Sequence, residues 1–523
     1  MRDILLNDIE EQRATISQNN KRIAKNTLML YFRQILILFV GLYTVRVVLN
    51  TLGVVDYGIY SVIGGIVTFF SFLRGTMASA TQRFFSFALG ENNQERLKKT
   101  FSVNLIIYIV IAVIAVILLE TIGLWFVKNK LNVPAERFEA ALWIFHFSIL
   151  TFLATIFSTP FMAIIIAHED MQIYAYVSIV EVFLKLAVVF LLVQLPFDKL
   201  EVYGVLLFGV SIIIATIYAI VCLRKYKECQ FHHFYWDRLL FIETIGFTGW
   251  TLFGQVTSVT RNQAVTILLN QVFNPVVVAA RAVAVNVSNY VNVFANNFNT
   301  GLYPPIIKEY ASGNKKNMFA LIFNGSKIAF FLMWVFALPL FLKMDLILQL
   351  WLKNPPLQAV LFTRLGLIEV LINSVSLPIT TAARAPGKMK TYELSLGTIQ
   401  IAIFFVDWAI LSAGGAAYNV FIVAIVANLV MFIVRLLIVN KLINLPINEF
   451  FLKVISPVFI VVIASLVPSL VINQILPESL LFAFLTVFAS VFFSIISMYF
   501  IGFDKIWRKK IVDMVKRKFS HKR

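Results

Sequence analysis

Cysteine is almost absent from this sequence, with Cys222 and Cys229 the two in 523 residues. Two thiols seven positions apart support no disulfide framework, and no partner residues stand at zinc-ligand spacing beside them. Charge is scarce as well, since Asp, Glu, Lys and Arg make up 14% of the chain against 60% hydrophobic residues. A mean hydropathy of +0.85 leaves too little polar surface for a water-soluble domain of this length. Trp is limited to eight residues. Trp125, Trp143, Trp351, Trp408 and Trp507 fall near the ends of apolar runs, where interfacial residues gather. No nucleophile–base arrangement stands out. Asn324-Gly325-Ser326-Lys327 lacks the glycine spacing of a phosphate loop, and His232-His233 are adjacent imidazoles on an aromatic loop. The chain reads as catalytically silent, with no metal and no cofactor.

Acidic residues are outnumbered, giving a net charge of +18. The basic residues are not gathered in a soluble module, which argues against nucleic acid. They sit in short loops and in the C-terminal stretch KIWRKKIVDMVKRKFSHKR, which suits a surface of anionic lipid. The first 26 residues are too polar for a signal peptide and read as a retained segment before the first span.

What fills the chain instead is a series of apolar runs, each near the length that crosses a bilayer. They fall at about 27–50, 58–80, 101–125, 141–166, 171–194, 201–223 and 246–270, then 276–303, 319–343, 359–384, 390–412, 415–440, 451–474 and 479–502. In lipid the backbone must satisfy itself, so these runs are helices. Basic residues favour one set of loops, among them Arg83, Arg96, Lys98, Lys99, Arg224, Lys225, Lys308, Lys315 and Lys388. By the positive-inside rule both termini are cytoplasmic.

A faint internal repeat aligns ILLNQVFNPVVVAARAVAVNV (267–287) with VVLNTLGVVDYGIYSVIGGIV (47–67). The expected fold is therefore an all-α polytopic membrane protein of about fourteen transmembrane helices. It has two six-helix lobes at 27–223 and 246–440, a linker at 224–245 and two further helices at 441–502. Segments 1–26 and 503–523 flank them. Paired halves with a site between them recur in transporters.

A charge at bilayer depth costs about 2.5–3.5 kcal/mol on insertion scales, so each one needs a partner or a use. Glu181 and Lys185 lie four apart on one helix and can neutralise each other. A proton or ion relay through Glu181, Lys185 and Glu369 is the functional alternative. Lys327 and Arg435 lie near helix ends and can snorkel. Arg364 and Glu369 are five apart and share no face, and Asp407 beside Trp408 reads as interfacial. Arg33, Arg46, Arg74, Arg261 and Arg281 remain, none with an acid at i±3 or i±4. They are the candidates for lining a wet cavity between the halves. The planar, always-charged arginine fork suits phosphate oxygens.

Arg46, Leu52-Gly53, Asp56-Tyr57-Gly58, Gly64-Gly65 and Gly75, with FLRGTMASATQRFFSFALG and its Arg83, resemble the N-terminus of the polysaccharide transporters of the MOP superfamily. These are the Wzx-type flippases, relatives of the MATE exporters and lipid II flippases. In that resemblance Asp56-Tyr57-Gly58 is the turn between the first two spans, with Gly58 permitting re-entry. The resemblance implies a two-lobed bundle in the bacterial inner membrane. Such a bundle would move undecaprenyl-diphosphate-linked oligosaccharide from the cytoplasmic to the periplasmic leaflet by alternating access, for surface polysaccharide such as O-antigen or capsule. Arg33, Arg74 and Arg261 occupy helices comparable to those that carry arginines in the lipid II branch. The partners expected are the polyprenyl-diphosphate glycan, membrane lipids and the polysaccharide polymerase and chain-length machinery, with a monomeric transporter coupled to the membrane potential or a Na+ or H+ gradient. The competing readings are a MATE-like drug and cation antiporter, disfavoured by a shortage of deep unpaired acids, and a membrane polymerase or glycosyltransferase, disfavoured by short loops.

Overall fold

A computed structural model describes Asn26 and residues 28–37, 39–41, 43–44, 47–48, 50–53, 56–60, 62–64, 66–67, 70–131, 133–230, 233–273, 275–352, 355–477 and 479–503, with Arg508. Arg46, Gly65 and His232 lie outside these residues, as do most of the segments expected at 1–26 and 503–523.

Every regular element among the described residues is helical. The residues described between 28 and 53 and between 56 and 67 are helical as well. The labelled helices begin with α1 Ser71–Gly90, α2 Gln94–Leu118, α3 Phe138–Ala167, α4 Met171–Gln194, α5 Lys199–Lys225, α6 Arg238–Val272 and α7 Pro275–Ala311. They continue with α8 Lys315–Leu352, α9 Ala359–Arg384, α10 Lys390–Ser412, α11 Asn419–Ile443, α12 Ser456–Ile475 and α13 Leu480–Ser497. Twelve helices among the described residues are long and apolar enough to cross a membrane, and they match the third to fourteenth apolar runs of the sequence. The chain is a multi-pass membrane protein.

The structure corrects the reading of the second span. Residues 56–60 are helical, so Asp56-Tyr57-Gly58 lies in a helical stretch and not in a turn. The left-handed residue is Gly53, at φ +78°, a conformation that costs glycine little and other residues more. The later helix α1 runs on to Gly90, ten residues past the expected boundary. Between α1 and α2 Glu91–Asn93 alone are outside helices, so Arg96, Lys98 and Lys99, expected in a loop, lie on α2. Asn93 caps α2 by accepting the Arg96 N–H at 2.9 Å, which satisfies a donor the helix start leaves open.

The corresponding loop of the second half closes in the same way. Asn92 stands at φ 52° and Gly313 at φ 76°. The N–H of Asn93 reaches Ala88 O at 3.1 Å, and that of Asn314 reaches Glu309 O at 2.9 Å. Both are the six-to-one closure that ends a helix through a left-handed residue.

The chain divides into two compact units, Met1–Gln255 with Ile307–Asn314, and Val256–Ile306 with Lys315–Arg523. In unit 1, α3 packs along α5 and against α1. One core cluster centres on Phe85, Phe101, Ile164 and Leu192, and another on Tyr108, Ile144, Phe145 and Ile156. The end of α7 belongs to this unit and lies tight on α1, because a Cβ at Gly90 would meet Lys308 O at 2.6 Å. Lys308 Nζ also donates to Glu169 Oε1 at 2.7 Å, with the Glu169 side chain 1% exposed.

In unit 2, α11 packs against both α9 and α10, and α8 packs against α9. Gly366 lets α9 close on α7, since a Cβ there would stand 2.7 Å from Ser288 Oγ. The last two spans are fastened to α8, where Trp334 Nε1 donates to Ser465 Oγ at 2.8 Å. Lys327 Nζ donates to Gly502 O at 3.4 Å. Lys327 is buried, so it does not snorkel as its place near a helix end suggested. Helix α13 buries Thr486, Ser490 and Ser494 and exposes Phe484, Phe488 and Phe492, the small-inside, greasy-outside division of a helix facing lipid.

Candidate functional site

Unit 1 places two of the singled-out arginines in one neighbourhood. Arg33 is buried, with its guanidinium 4.5 Å from the centroid of the Tyr174 ring on α4. Its Nη1 donates to Ser178 Oγ, one turn further along α4, at 3.5 Å. Tyr218 of α5 stands near Ser178 and within electrostatic reach of Arg74. Arg74 Nε donates to Thr159 Oγ1 at 3.2 Å, and its Nη2 lies 4.0 Å from Met162 Sδ. No carboxylate among the described residues pairs with Arg74. A hydroxyl and a thioether thus hold the Arg74 guanidinium in place, and such weak partners orient an arginine without neutralising it.

Unit 2 treats its arginines differently. Arg261 Nη2 lies 3.5 Å from Glu369 Oε1, a pairing between α6 and α9. Asn428 Nδ2 of α11 donates to that same oxygen at 3.0 Å. Arg281 Nη1 donates to Thr266 Oγ1 at 2.5 Å. Asp407 lies within electrostatic reach of Arg261, Arg281 and Glu369. The structure therefore gathers two arginines and two acidic side chains here.

Asp407 overturns its interfacial reading. It is 1% exposed, while its neighbour Trp408 is 54% exposed. Successive residues of a helix point about 100° apart, so the tryptophan marks the outward face and the aspartate the inward one. Neither Asp407 oxygen has a hydrogen-bond partner among the described residues.

The other singled-out residues take structural partners. Lys185 Nζ pairs with Glu181 Oε1 at 2.6 Å on a partly exposed face of α4, as their spacing suggested. Arg364 Nη2 pairs with Asp345 Oδ2 at 2.7 Å. Arg435 Nη1 donates to Asn373 Oδ1 at 3.4 Å, so this arginine turns toward α9. Asp56 accepts Arg137 Nε at 2.8 Å on Oδ1 and Nη2 at 2.5 Å on Oδ2. Arg137 also holds Asp198, with Nη1 at 2.5 Å from Oδ2. Asp198 in turn caps α5 through the Leu200 and Glu201 N–H groups. The Arg137 contacts first, and then these backbone donors, hold the Asp198 carboxyl below the ordinary carboxylate range against the opposing effect of its partial burial. Nothing in the local sequence of Arg137 signals a clasp between two aspartates.

Comparison with known proteins bears on this arrangement. Residues 23–310 match the family model described as polysaccharide biosynthesis protein. No curated protein matches the chain. Among solved structures, the chain is similar to a mutant MATE transporter, with a TM-score of 0.71 at 12% identity, covering 81% of this chain and 97% of that one. It is similar to an outward-facing multidrug resistance MATE family transporter of the MOP superfamily, with a TM-score of 0.70 at 14% identity, covering 82% and 96%. A mutant of the Vibrio cholerae MATE transporter VcmN gives a TM-score of 0.65 at 18% identity, covering 84% and 100%. At these identities the likeness is one of fold.

Proposed function

The chain belongs to the polysaccharide biosynthesis protein family of the MOP superfamily, and from that premise we propose that it is a flippase for lipid-linked oligosaccharide. Its substrate is a glycan on undecaprenyl diphosphate, carried from the cytoplasmic to the periplasmic leaflet of a bacterial inner membrane by alternating access. Both termini stand in the cytoplasm, as the loop charges favour.

The observation that carries this reading is the setting of Arg74, whose partners are Thr159 and Met162. With Arg33 held beside Ser178 and Tyr174, Arg74 offers positive charge that no carboxylate among the described residues pairs with. Guanidinium forks in this condition replace the water around diphosphate oxygens as the head group leaves bulk solvent. Arg261 and Arg281 share their surroundings with Glu369 and Asp407, so the diphosphate site rests on unit 1. Outward movement of an anionic head group is favoured by an inside-negative potential, by about 2.3 kcal/mol per charge per 100 mV. The glycan passes to the polymerase and chain-length machinery on the far side. Arg74→Ala and Arg33→Ala should each abolish surface glycan export while leaving the protein in the membrane. Full export by both variants would remove the site.

One observation favours a second reading. Asp407, buried and without a donor among the described residues, is the deep acid that a MATE-like cation or drug antiporter needs. Under that reading a deletion strain becomes sensitive to cationic drugs, and under the flippase reading its drug tolerance is unchanged.

A further inference from the structure

Helices α6 and α7 are the two least apolar of the twelve spans found among the described residues. Residues 256–306 hold nine Asn and two Gln but no Asp or Glu. Several of these amides stand outward. Asn286, Asn289 and Asn296 of α7 are exposed, and at 100° per residue they fall within an arc of about 80° over roughly 15 Å. Ala284, Val291, Ala295 and Phe298 are buried on the opposite side. Helix α6 repeats the pattern. Its Asn262, Gln263 and Asn270 are exposed within an arc of about 100°, while Val265, Leu268 and Leu269 are buried. Residues 273–274 alone separate the two helices, and Arg281 Nη1 donates to Thr266 Oγ1 between them, so they run antiparallel side by side.

Hydrocarbon does not suit such a face. A side-chain amide placed in lipid without a partner costs several kcal/mol. The lipid-facing pattern of this protein looks different, as in α13, which turns Phe484, Phe488 and Phe492 outward. Helix α7 is the least buried of the twelve spans, so its row of amides meets water at membrane depth.

The face also carries hydrogen-bonding capacity without free charge. Arg261 turns to Glu369, and Arg281 is held at Thr266. A primary amide offers two N–H donors and a carbonyl acceptor, and a hydroxyl group both donates and accepts. Rows of amides therefore match rows of hydroxyl groups. They offer no cation to a phosphate and no carboxylate to a cationic drug. Tyr290, 53% exposed beside Asn289, adds a ring face for the C–H groups of a sugar.

We propose that this amide face of α6 and α7 holds the sugars of the lipid-linked glycan, so that unit 2 reads the glycan while the arginines of unit 1 take the diphosphate. The assignment rests on the flippase reading. It makes Asn286, Asn289 and Asn296 specificity residues. A glycan whose hydroxyl groups miss them leaves polar groups unpaired and is rejected for that reason.

The probe is the oligosaccharide freed by mild acid from the lipid-linked pool of the native strain, which carries neither diphosphate nor tail. The full chain in lipid nanodiscs is expected to bind it. Asn286→Ala with Asn289→Ala should weaken binding by about tenfold or more, the effect of two lost hydrogen bonds. Asn286→Gln with Asn289→Gln, which keeps the amides, should recover part of it. A thiol on the same stripe gives a readout that leaves every amide in place. Cys222 and Cys229 are buried, so a charged methanethiosulfonate reagent reports on Val293→Cys. It should react there and not at Phe488→Cys, and the oligosaccharide should slow the reaction at Val293→Cys. Failure of the reagent to reach Val293→Cys, absence of protection, or wild-type affinity in the alanine pair overturns the assignment. Undecaprenyl diphosphate without sugar, added to the same discs, separates this result from the flippase reading. Binding of that lipid with no binding of the oligosaccharide removes the amide face alone, and binding of neither removes both.

Discussion

Arg261 and Glu369 meet at 3.5 Å between α6 and α9, so an arginine expected to line a cavity is a partner in a pair. Its side chain is 12% exposed and that of Glu369 26%, and Asn428 closes the arrangement by donating to the same carboxylate oxygen. Glu369→Gln should therefore strand a mostly buried guanidinium. The expected loss is about 1–3 kcal/mol of stability, read as a lower melting temperature in detergent. The double variant Arg261→Gln with Glu369→Gln should recover much of it. Equal melting of all three proteins would show that the pair contributes nothing.

Gly90 and Gly75 lie on the same helix and predict opposite outcomes. A Cβ at Gly90 would press on Lys308 O at 2.6 Å and Ala311 Cβ at 2.7 Å, whereas one at Gly75 meets nothing within 4 Å. Gly90→Ala should cost about 1–3 kcal/mol by forcing the end of α7 away from α1. Gly75→Ala should be neutral or slightly stabilising, since alanine is the better helix former. Thermal unfolding of the two variants side by side checks the contrast.

Lys308→Ala removes the cation from a carboxylate whose side chain is 1% exposed. Breaking such a pair from one side costs about 3 kcal/mol or more. Replacing Glu169 as well, with glutamine, should relieve part of the loss. A melting temperature of Lys308→Ala equal to that of the wild type would contradict the buried pairing.

The clasp of Arg137 on Asp56 and Asp198 predicts a pH dependence. Asp198 is held below its ordinary value by the Arg137 contact. A group depressed on folding contributes stability that is present above its unfolded value and is lost as pH falls through its folded one. The clasp should thus be intact at neutral pH and fail below about pH 4. Arg137→Ala should lower the melting temperature at pH 7 and shrink the further drop between pH 5 and pH 3, ranges set by the ordinary carboxylate value of about 4. An undiminished acid drop in the variant would place the titrating group elsewhere.

Much of the fold is legible because lipid leaves the backbone few choices. An apolar run long enough to cross a bilayer must be a helix, and twelve of the expected runs return as such spans. The boundaries are less legible because helices continue past the apolar stretch. Helix α1 reaches Gly90 through ordinary helix formers, and Asn93 rather than the first polar residue starts α2. Arg33 and Arg74 could be placed near each other from antiparallel neighbouring spans. The Arg261 and Glu369 pairing could not, since those residues lie far apart in sequence and nothing local couples them. Asp407 was misjudged by its neighbour, because Trp408 reports the face it occupies and not the face 100° away. The spacing of fourteen between Glu393 and Asp407, both buried, returns a helix to nearly the same face and is the signal that would have placed Asp407 inward.

The most direct measurement is the sidedness of lipid-linked oligosaccharide in membranes from a deletion strain carrying the wild-type chain, Arg74→Ala or an empty vector. The account predicts glycan accessible from the periplasmic face with the wild type, and glycan held at the cytoplasmic face with Arg74→Ala and with the empty vector. Identical sidedness in all three strains would contradict it.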